Sequence, residues 1–182
     1  MKINSTSLIS LVSALTLGSA ANAGVIADFY IGGMAGVGGQ TMFSDHHNET
    51  DSSAVFGGIV GMDLPIFRVE AEYDHFTSTD LNTNAGLLNL YAKIPSTIIL
   101  PYIGAGAGVI FGGNQELKDI KYSIDTTAAY QAMLGATIDI LALPIKFDVE
   151  GRVLYAPNIY DNAGATPDML QYNVRAKVRY IF

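Results

Sequence analysis

The last eleven residues constrain the fold more tightly than any other stretch of this chain. They read Tyr172-Asn173-Val174-Arg175-Ala176-Lys177-Val178-Arg179-Tyr180-Ile181-Phe182. Counting back from Tyr180, every second residue is apolar or small, and the residues between are Arg179, Lys177, Arg175 and Asn173. A period of two describes a strand with one wet face and one dry face.

The same alternation recurs upstream. Arg68, Glu70, Glu72 and Asp74 share one face of a strand whose other face carries Phe67, Val69, Ala71 and Tyr73. Lys146, Asp148, Glu150 and Arg152 alternate in the same way with Ile145, Phe147, Val149, Gly151 and Val153. Extending the pattern gives eight strands at 27–38, 54–63, 65–76, 85–94, 100–111, 126–140, 144–156 and 170–182. The connections alternate in length. Polar segments at 39–53, 77–84, 112–125 and 157–169 are long, whereas 63–65, 95–99 and 141–143 are short. All six prolines fall at turns, loops or strand starts, where the missing N–H costs little. Leu64-Pro65, Leu100-Pro101 and Leu143-Pro144 each follow a short turn, a weak repeat on the scale of a hairpin.

Alternation alone does not say which face meets water. In a soluble sandwich the apolar face meets a core; in a membrane barrel it meets lipid. The N-terminus favours the second case. Met1-Lys2, the apolar stretch Leu8 to Leu17 and the small residues Ala21-Asn22-Ala23 follow the order of a secretory signal peptide, with cleavage expected after Ala23. Residues 1–23 are therefore expected to be removed, leaving 24–182 as one barrel domain. No cysteine is present, which excludes a lipid-anchored lipoprotein and disulfides. Downstream of the signal no stretch is long and apolar enough for a spanning helix. Only helices and closed barrels satisfy every backbone group in lipid, so a spanning chain of this kind must close into a barrel. The expected fold is all-β: a closed, antiparallel, up-and-down, eight-stranded transmembrane barrel. Long loops lie outside the cell in such barrels and short turns face the periplasm, so both termini are expected in the periplasm.

Charge sorts by position. Seven cations are assigned to the lumen (Arg68, Lys93, Lys146, Arg152, Arg175, Lys177, Arg179), against eight anions (Asp28, Asp63, Glu70, Glu72, Asp74, Asp139, Asp148, Glu150). The loops and their edges hold nine acids (Asp45, Glu49, Asp51, Asp80, Glu116, Asp119, Asp125, Asp161, Asp168) against Lys118 and Lys121. Almost all of the net charge of −7 thus belongs to the loops. Near balance inside suits a bore only wide enough for side chains, where charges must be paired. Two aromatic girdles are expected. Phe29, Phe67, Tyr102, Phe147, Tyr180 and Phe182 form one; Phe56, Tyr73, Phe111, Tyr130, Tyr155 and Tyr172 form the other, without any tryptophan.

These residues carry a resemblance. Phe56-Gly57-Gly58 to Met62-Asp63, Phe67-Arg68-Val69-Glu70-Ala71-Glu72-Tyr73, Asn89-Leu90-Tyr91, Pro101-Tyr102-Ile103-Gly104-Ala105-Gly106-Ala107-Gly108 and the closing Phe182 together resemble the small eight-stranded bacterial outer-membrane barrels of the OmpA transmembrane domain, OmpX and opacity-protein type. The resemblance covers the whole mature chain. It implies residence in a Gram-negative outer membrane, contact with its lipids, and insertion by an assembly machinery that recognises the strand ending at Phe182. It also implies a structural or surface-interaction role: envelope integrity, adhesion, or contact with host molecules through the acidic loops. A monomer is expected, with no nucleic-acid partner, no cofactor and no enzymatic activity. The alternative is a small channel or carrier for hydrophobic molecules.

Candidate chemistry is sparse. The glycine-rich runs 31–39, 57–61 and 104–113 lack the spacing and the helix of a phosphate cradle, and are read as room for inward side chains. Asp45-His46-His47 with Glu49 and Asp51 has the donor types for zinc, but adjacent strand residues point apart, so a solvated loop is the preferred reading. Lipid A deacylases, which are similar in size, pair His-x-Ser with an acid. Here Asp74-His75-Phe76-Thr77-Ser78 puts Thr77 at the serine position and offers no evident third group. No catalytic, cofactor or metal residue is assigned.

Overall fold

A computed structural model of the chain describes residues 27–44, 47–78, 82–96, 98–117, 120–123, 126–140, 143–157 and 168–182. The expected signal peptide, 1–23, lies outside them. The strands are β1 (Asp28–Ser44), β2 (His47–Asp63), β3 (Phe67–Ser78), β4 (Asn82–Lys93), β5 (Ile99–Leu117), β6 (Ile120–Ser123), β7 (Thr127–Asp139), β8 (Ile145–Ala156) and β9 (Asp168–Ile181). The hydrogen-bonded order is β4-β3-β2-β1-β9-β8-β7-β5-β6, and β4 also pairs with β5, which closes the ring. Eight strands are staves of an antiparallel barrel. The short β6 pairs with the tip of β5, from Asn114↔Ser123 to Leu117↔Ile120, beyond the point where β7 leaves it.

The seam is between first and last strands. Register runs from Tyr30↔Ile181 to Phe43↔Asp168, and Phe182 N donates to Phe29 O at 2.9 Å. The start of β1 and the end of β9 therefore lie at one rim, the terminal end; β1–β2, β3–β4 and β8–β9 connect at the other, the loop end. Pro65 and Pro144 sit in the bends just before β3 and β8, so those strands begin at Phe67 and Ile145, where a backbone donor is available to the ladder.

Burial alternates along the staves, inverted relative to a soluble protein. Leu88, Leu134 and Val174 on the outside are 67%, 67% and 61% exposed, while Arg68, Glu70, Lys177 and Arg179 inside are at 0%. The outer wall is an apolar belt, and the polar face of every alternating strand is the interior.

Two expected loops are largely strand. Segment 39–53 continues the β1–β2 ladder out to Ser44↔His47, and within 112–125 the β5 ladder runs on to Leu117 and pairs with β6. Past the alternating stretches the sequence carries no period of two to mark a strand, while the backbone still satisfies itself by pairing.

Candidate functional site

Among the described residues, chemistry-bearing side chains converge in the lumen. It is built by position: a stave that puts Val or Phe into the outer belt must put its next residue inside. Twelve charged residues are buried there, six cations (Arg68, Lys93, Arg152, Arg175, Lys177, Arg179) and six anions (Asp63, Glu70, Glu72, Asp74, Asp148, Glu150). The buried set is formally neutral. Of the three other residues assigned to the lumen, Lys146 and Asp139 are 18% and 24% exposed and pair with each other at 3.3 Å at the terminal rim. Asp28, opposite Asp63 in the ladder, is also only half-buried at that rim.

From the terminal end upward the pairs form tiers. Asp63 takes Lys93 as a close partner, Arg179 at 3.2 Å and Lys146 at 3.5 Å. Asp148 accepts from Arg179 Nε at 2.7 Å and Arg68 Nη1 at 3.2 Å, with Thr137 close by. Glu70 accepts from Lys177 Nζ at 2.8 Å, Tyr30 Oη at 2.7 Å and Tyr91 Oη at 2.9 Å. Glu150 accepts from Arg175 Nε at 2.6 Å and Tyr102 Oη at 3.0 Å. Glu72 takes Arg175 in a fork, 2.6 and 3.1 Å, together with Arg152 Nη1 at 3.2 Å and Asn89 Nδ2 at 2.8 Å. Asp74 ends the stack, held by Arg152. Guanidinium–carboxylate forks are the strong form of such bonds, and buried charges require them.

The long pairs cross the bore. β3 and β8 stand four staves apart whichever way the ring is followed. Arg68 on β3 reaches Asp148 on β8, and Arg152 on β8 reaches Glu72 and Asp74 on β3. The sequence carries a signal for this that the alternation alone does not use. The inner-face charges run from cation to anion along β3, Arg68 to Asp74, and from anion to cation along β8, Asp148 to Arg152.

Aromatic rings fill what the ions leave. The Arg68 guanidinium carbon lies 3.9 Å from the Tyr91 ring centre and 4.6 Å from that of Tyr102, and the two rings meet edge-to-face at 5.4 Å. Tyr102 was expected in the terminal girdle, but it faces inward and is 1% exposed. The reason is phase: Pro101 takes the outward position, and directly across from Tyr102 stands Gly135. Tyr30 and Tyr91 are placed alike, opposite Gly61 and Gly104. Each inward tyrosine thus occupies space left by a glycine on the neighbouring stave, which is the role expected for the glycine-rich runs.

Above Asp74 and Arg152 the lumen changes character. Val55, Phe76, Ala85, Leu87, Ile110, Ala129, Leu154, Ala156 and Met169 form a buried apolar cluster contributed by seven staves. The charges thus fill the terminal part of the lumen and apolar side chains its loop end. Near the loop end both faces of the staves are apolar, as in Leu154-Tyr155-Ala156 and Met169-Leu170, and alternation in hydropathy no longer marks the inner face. The cluster covers the ion network and keeps it in low dielectric, where its pairing is strongest.

The remaining candidates disperse. Asp74 is buried in the lumen whereas His75, one residue on, is exposed on the outer wall. The Asp74–His75–Ser78 grouping is therefore not brought together, because neighbours on a strand point to opposite faces. His75 Nδ1 instead lies 2.9 Å from Asn84 Oδ1. Asp45 and His46, and the side chains of His47, Glu49 and Asp51, lie outside the described residues. Among the described residues no group of three metal-ligating side chains occurs.

No family model and no curated protein matches the sequence. Solved structures do. Neisserial surface protein A (NspA) superposes with a TM-score of 0.66 at 15% identity, covering 86% of this chain and 99% of that one. The N-terminal β-barrel domain of Pseudomonas aeruginosa OprF gives 0.54 at 11% identity, covering 84% and 97%. Ail, the attachment invasion locus protein of Yersinia pestis, solved with the heparin analogue sucrose octasulfate, gives 0.51 at 10% identity, covering 84% and 99%. In fold, this chain is a small, closed, eight-stranded antiparallel β-barrel of the kind seen in these outer-membrane proteins.

Proposed function

We propose that the protein is an outer-membrane barrel with a sealed lumen, which anchors and displays its loop-end hairpins rather than passing solutes. One observation carries this reading: the bore is filled by a neutral set of paired charges and capped by an apolar cluster. Eight staves leave room for side chains and little else. The apolar outer wall, a cleavable leader at 1–23 and a closing strand ending in Phe182 support the outer membrane as the site, with both termini in the periplasm and insertion through the assembly machinery at that strand. The role is then envelope integrity or adhesion, by a monomer embedded in outer-membrane lipid.

The loop chemistry narrows the surface partner. The Ail structure holds a polyanion, whereas the loops here are strongly acidic. A cationic host surface or peptide suits them better. A channel or carrier for hydrophobic molecules finds no open path through the filled lumen, and the dispersal of Asp74 and His75 speaks against a barrel enzyme.

Planar-bilayer recording on the purified, refolded protein tests the reading. The expected result is no stable conductance from protein that migrates on gels as a heat-modifiable, folded barrel. Discrete, reproducible conductance steps would overturn it.

A further inference from the structure

The outer wall of β1, β2 and β3 carries a groove of about 350 Å³, bordered by Ile31, Val60 and Tyr73 and floored by Gly58 and Ala71. It exists because Gly58 stands directly beside both Gly33 and Tyr73 in the ladder. The Tyr73 ring is drawn the other way, toward β4 and β5: its hydroxyl donates to Asn84 Oδ1 at 2.9 Å and its centroid lies 6.4 Å from that of Phe111.

A polar clamp lies immediately above this groove. Asn84 is fixed from behind, since its Nδ2 donates at 3.1 Å to the carbonyl of Gly112, which has φ +63° at an irregularity in the β4–β5 ladder. With the amide so oriented, Oδ1 faces both Tyr73 and His75, so His75 Nδ1 must carry the hydrogen it donates at 2.9 Å. The ring is exposed on the outer face of β3, with Nε2 as its other nitrogen. His75 is two residues beyond Tyr73, about 7 Å further along the strand, where an embedded barrel meets the headgroups.

We infer that this groove and clamp form a site for one membrane lipid with a phosphate-bearing headgroup, an acyl chain lying over Gly58 and Ala71 and the phosphate meeting His75 Nε2. With Nδ1–H committed to Asn84, Nε2 is the ring nitrogen left to donate to a phosphate, from the imidazolium form. The groups sharing the outer face around His75 are Tyr73 and Thr77 on β3, Phe56 and Ala54 on β2, and Asn84 and Asn82 on β4. Among these described neighbours only Tyr73 is titratable, and Asp74 faces the lumen. The site rests on the membrane placement proposed above.

Native mass spectrometry of the full mature chain, released from detergent after incubation with lipid, tests it. Phosphatidylglycerol and lipid A should be retained as single adducts, and diacylglycerol, which lacks phosphate, should not. His75→Gln should lower phosphatidylglycerol occupancy about tenfold, the scale of one charge-assisted hydrogen bond. Gly58→Leu should lower it comparably by filling the groove; a Cβ there meets nothing nearer than Gly32 O at 3.9 Å, so the barrel should tolerate it. Ala71→Leu serves as a second groove-filling variant. Equal retention by wild type and folded variants, or equal retention of diacylglycerol, overturns the site. So does perturbation of the His75 imidazole NMR signals by inorganic phosphate alone, unchanged in Gly58→Leu. A silent, folded barrel with any of those results sinks the lipid site and leaves the sealed-barrel reading standing.

Discussion

At the scale of single residues, the lumen punishes removal of one partner more than removal of both. Arg152 holds Asp74 and touches Glu72, both fully buried. Arg152→Leu leaves the buried Asp74 carboxylate with Arg175 Nη1 at 3.7 Å in place of a close partner, and the expected loss is about 3 kcal/mol. It reads as a lower midpoint for the heat-modifiable gel shift in detergent. Adding Asp74→Leu should restore most of that loss, because the pair is then replaced by apolar volume beside Phe76. Gln171 gives the opposite sign. It sits among the apolar cap residues, its Oε1 is buried without a partner, and its Nε2 has only a long 3.5 Å contact to Ser53. Gln171→Leu should raise stability by about 1 kcal/mol, measured by the same midpoint.

At the scale of strands, fit between neighbours decides what each position tolerates. Gly135 on β7 faces Tyr102 on β5; a Cβ would stand 2.6 Å from the Tyr102 ring and 2.6 Å from the Val149 carbonyl oxygen on β8. The backbone oxygen cannot swing aside, so Gly135→Ala should cost about 1–3 kcal/mol. The tip of β5 with β6 behaves differently. It stands beyond the last β5–β7 pair, and in the ring-closing β4–β5 ladder it supplies Asn114, opposite Asn82. Replacing residues 113–124 with a two-residue Asn-Gly turn should leave the melting midpoint within about 0.5 kcal/mol of wild type, while altering any binding that depends on Glu116, Lys118 or Asp119.

At the scale of the whole molecule, the ion network joins every stave. Tyr30, Asp63, the β3 charges, Lys93, Tyr102, Thr137, the β8 charges and the β9 cations all bond within it. A stave cannot leave without uncovering a charge held from across the bore. Unfolding in urea from detergent micelles should therefore be a single transition, with coincident curves from circular dichroism and gel mobility; separated curves would contradict the cross-lumen account.

The strands, their inner and outer faces and the near-neutral interior were legible because backbone geometry, an apolar outer wall and a charged interior all impose a period of two. Val174, Arg175, Ala176 and Lys177 announce their faces from sequence alone. The ends of β1, β2 and β5 were not legible, since their residues lack that period although their backbones still pair. Nor was the apolar cap, where Leu154 and Ala156 face inward beside an equally apolar outer wall. Tyr102 looked like a girdle residue until Gly135 was seen opposite it. Which charge meets which was decided only by closing the ring. That closure sets Arg68 against Asp148 and Arg152 against Asp74 across the full bore, some eighty residues apart, a distance that no local pattern spans.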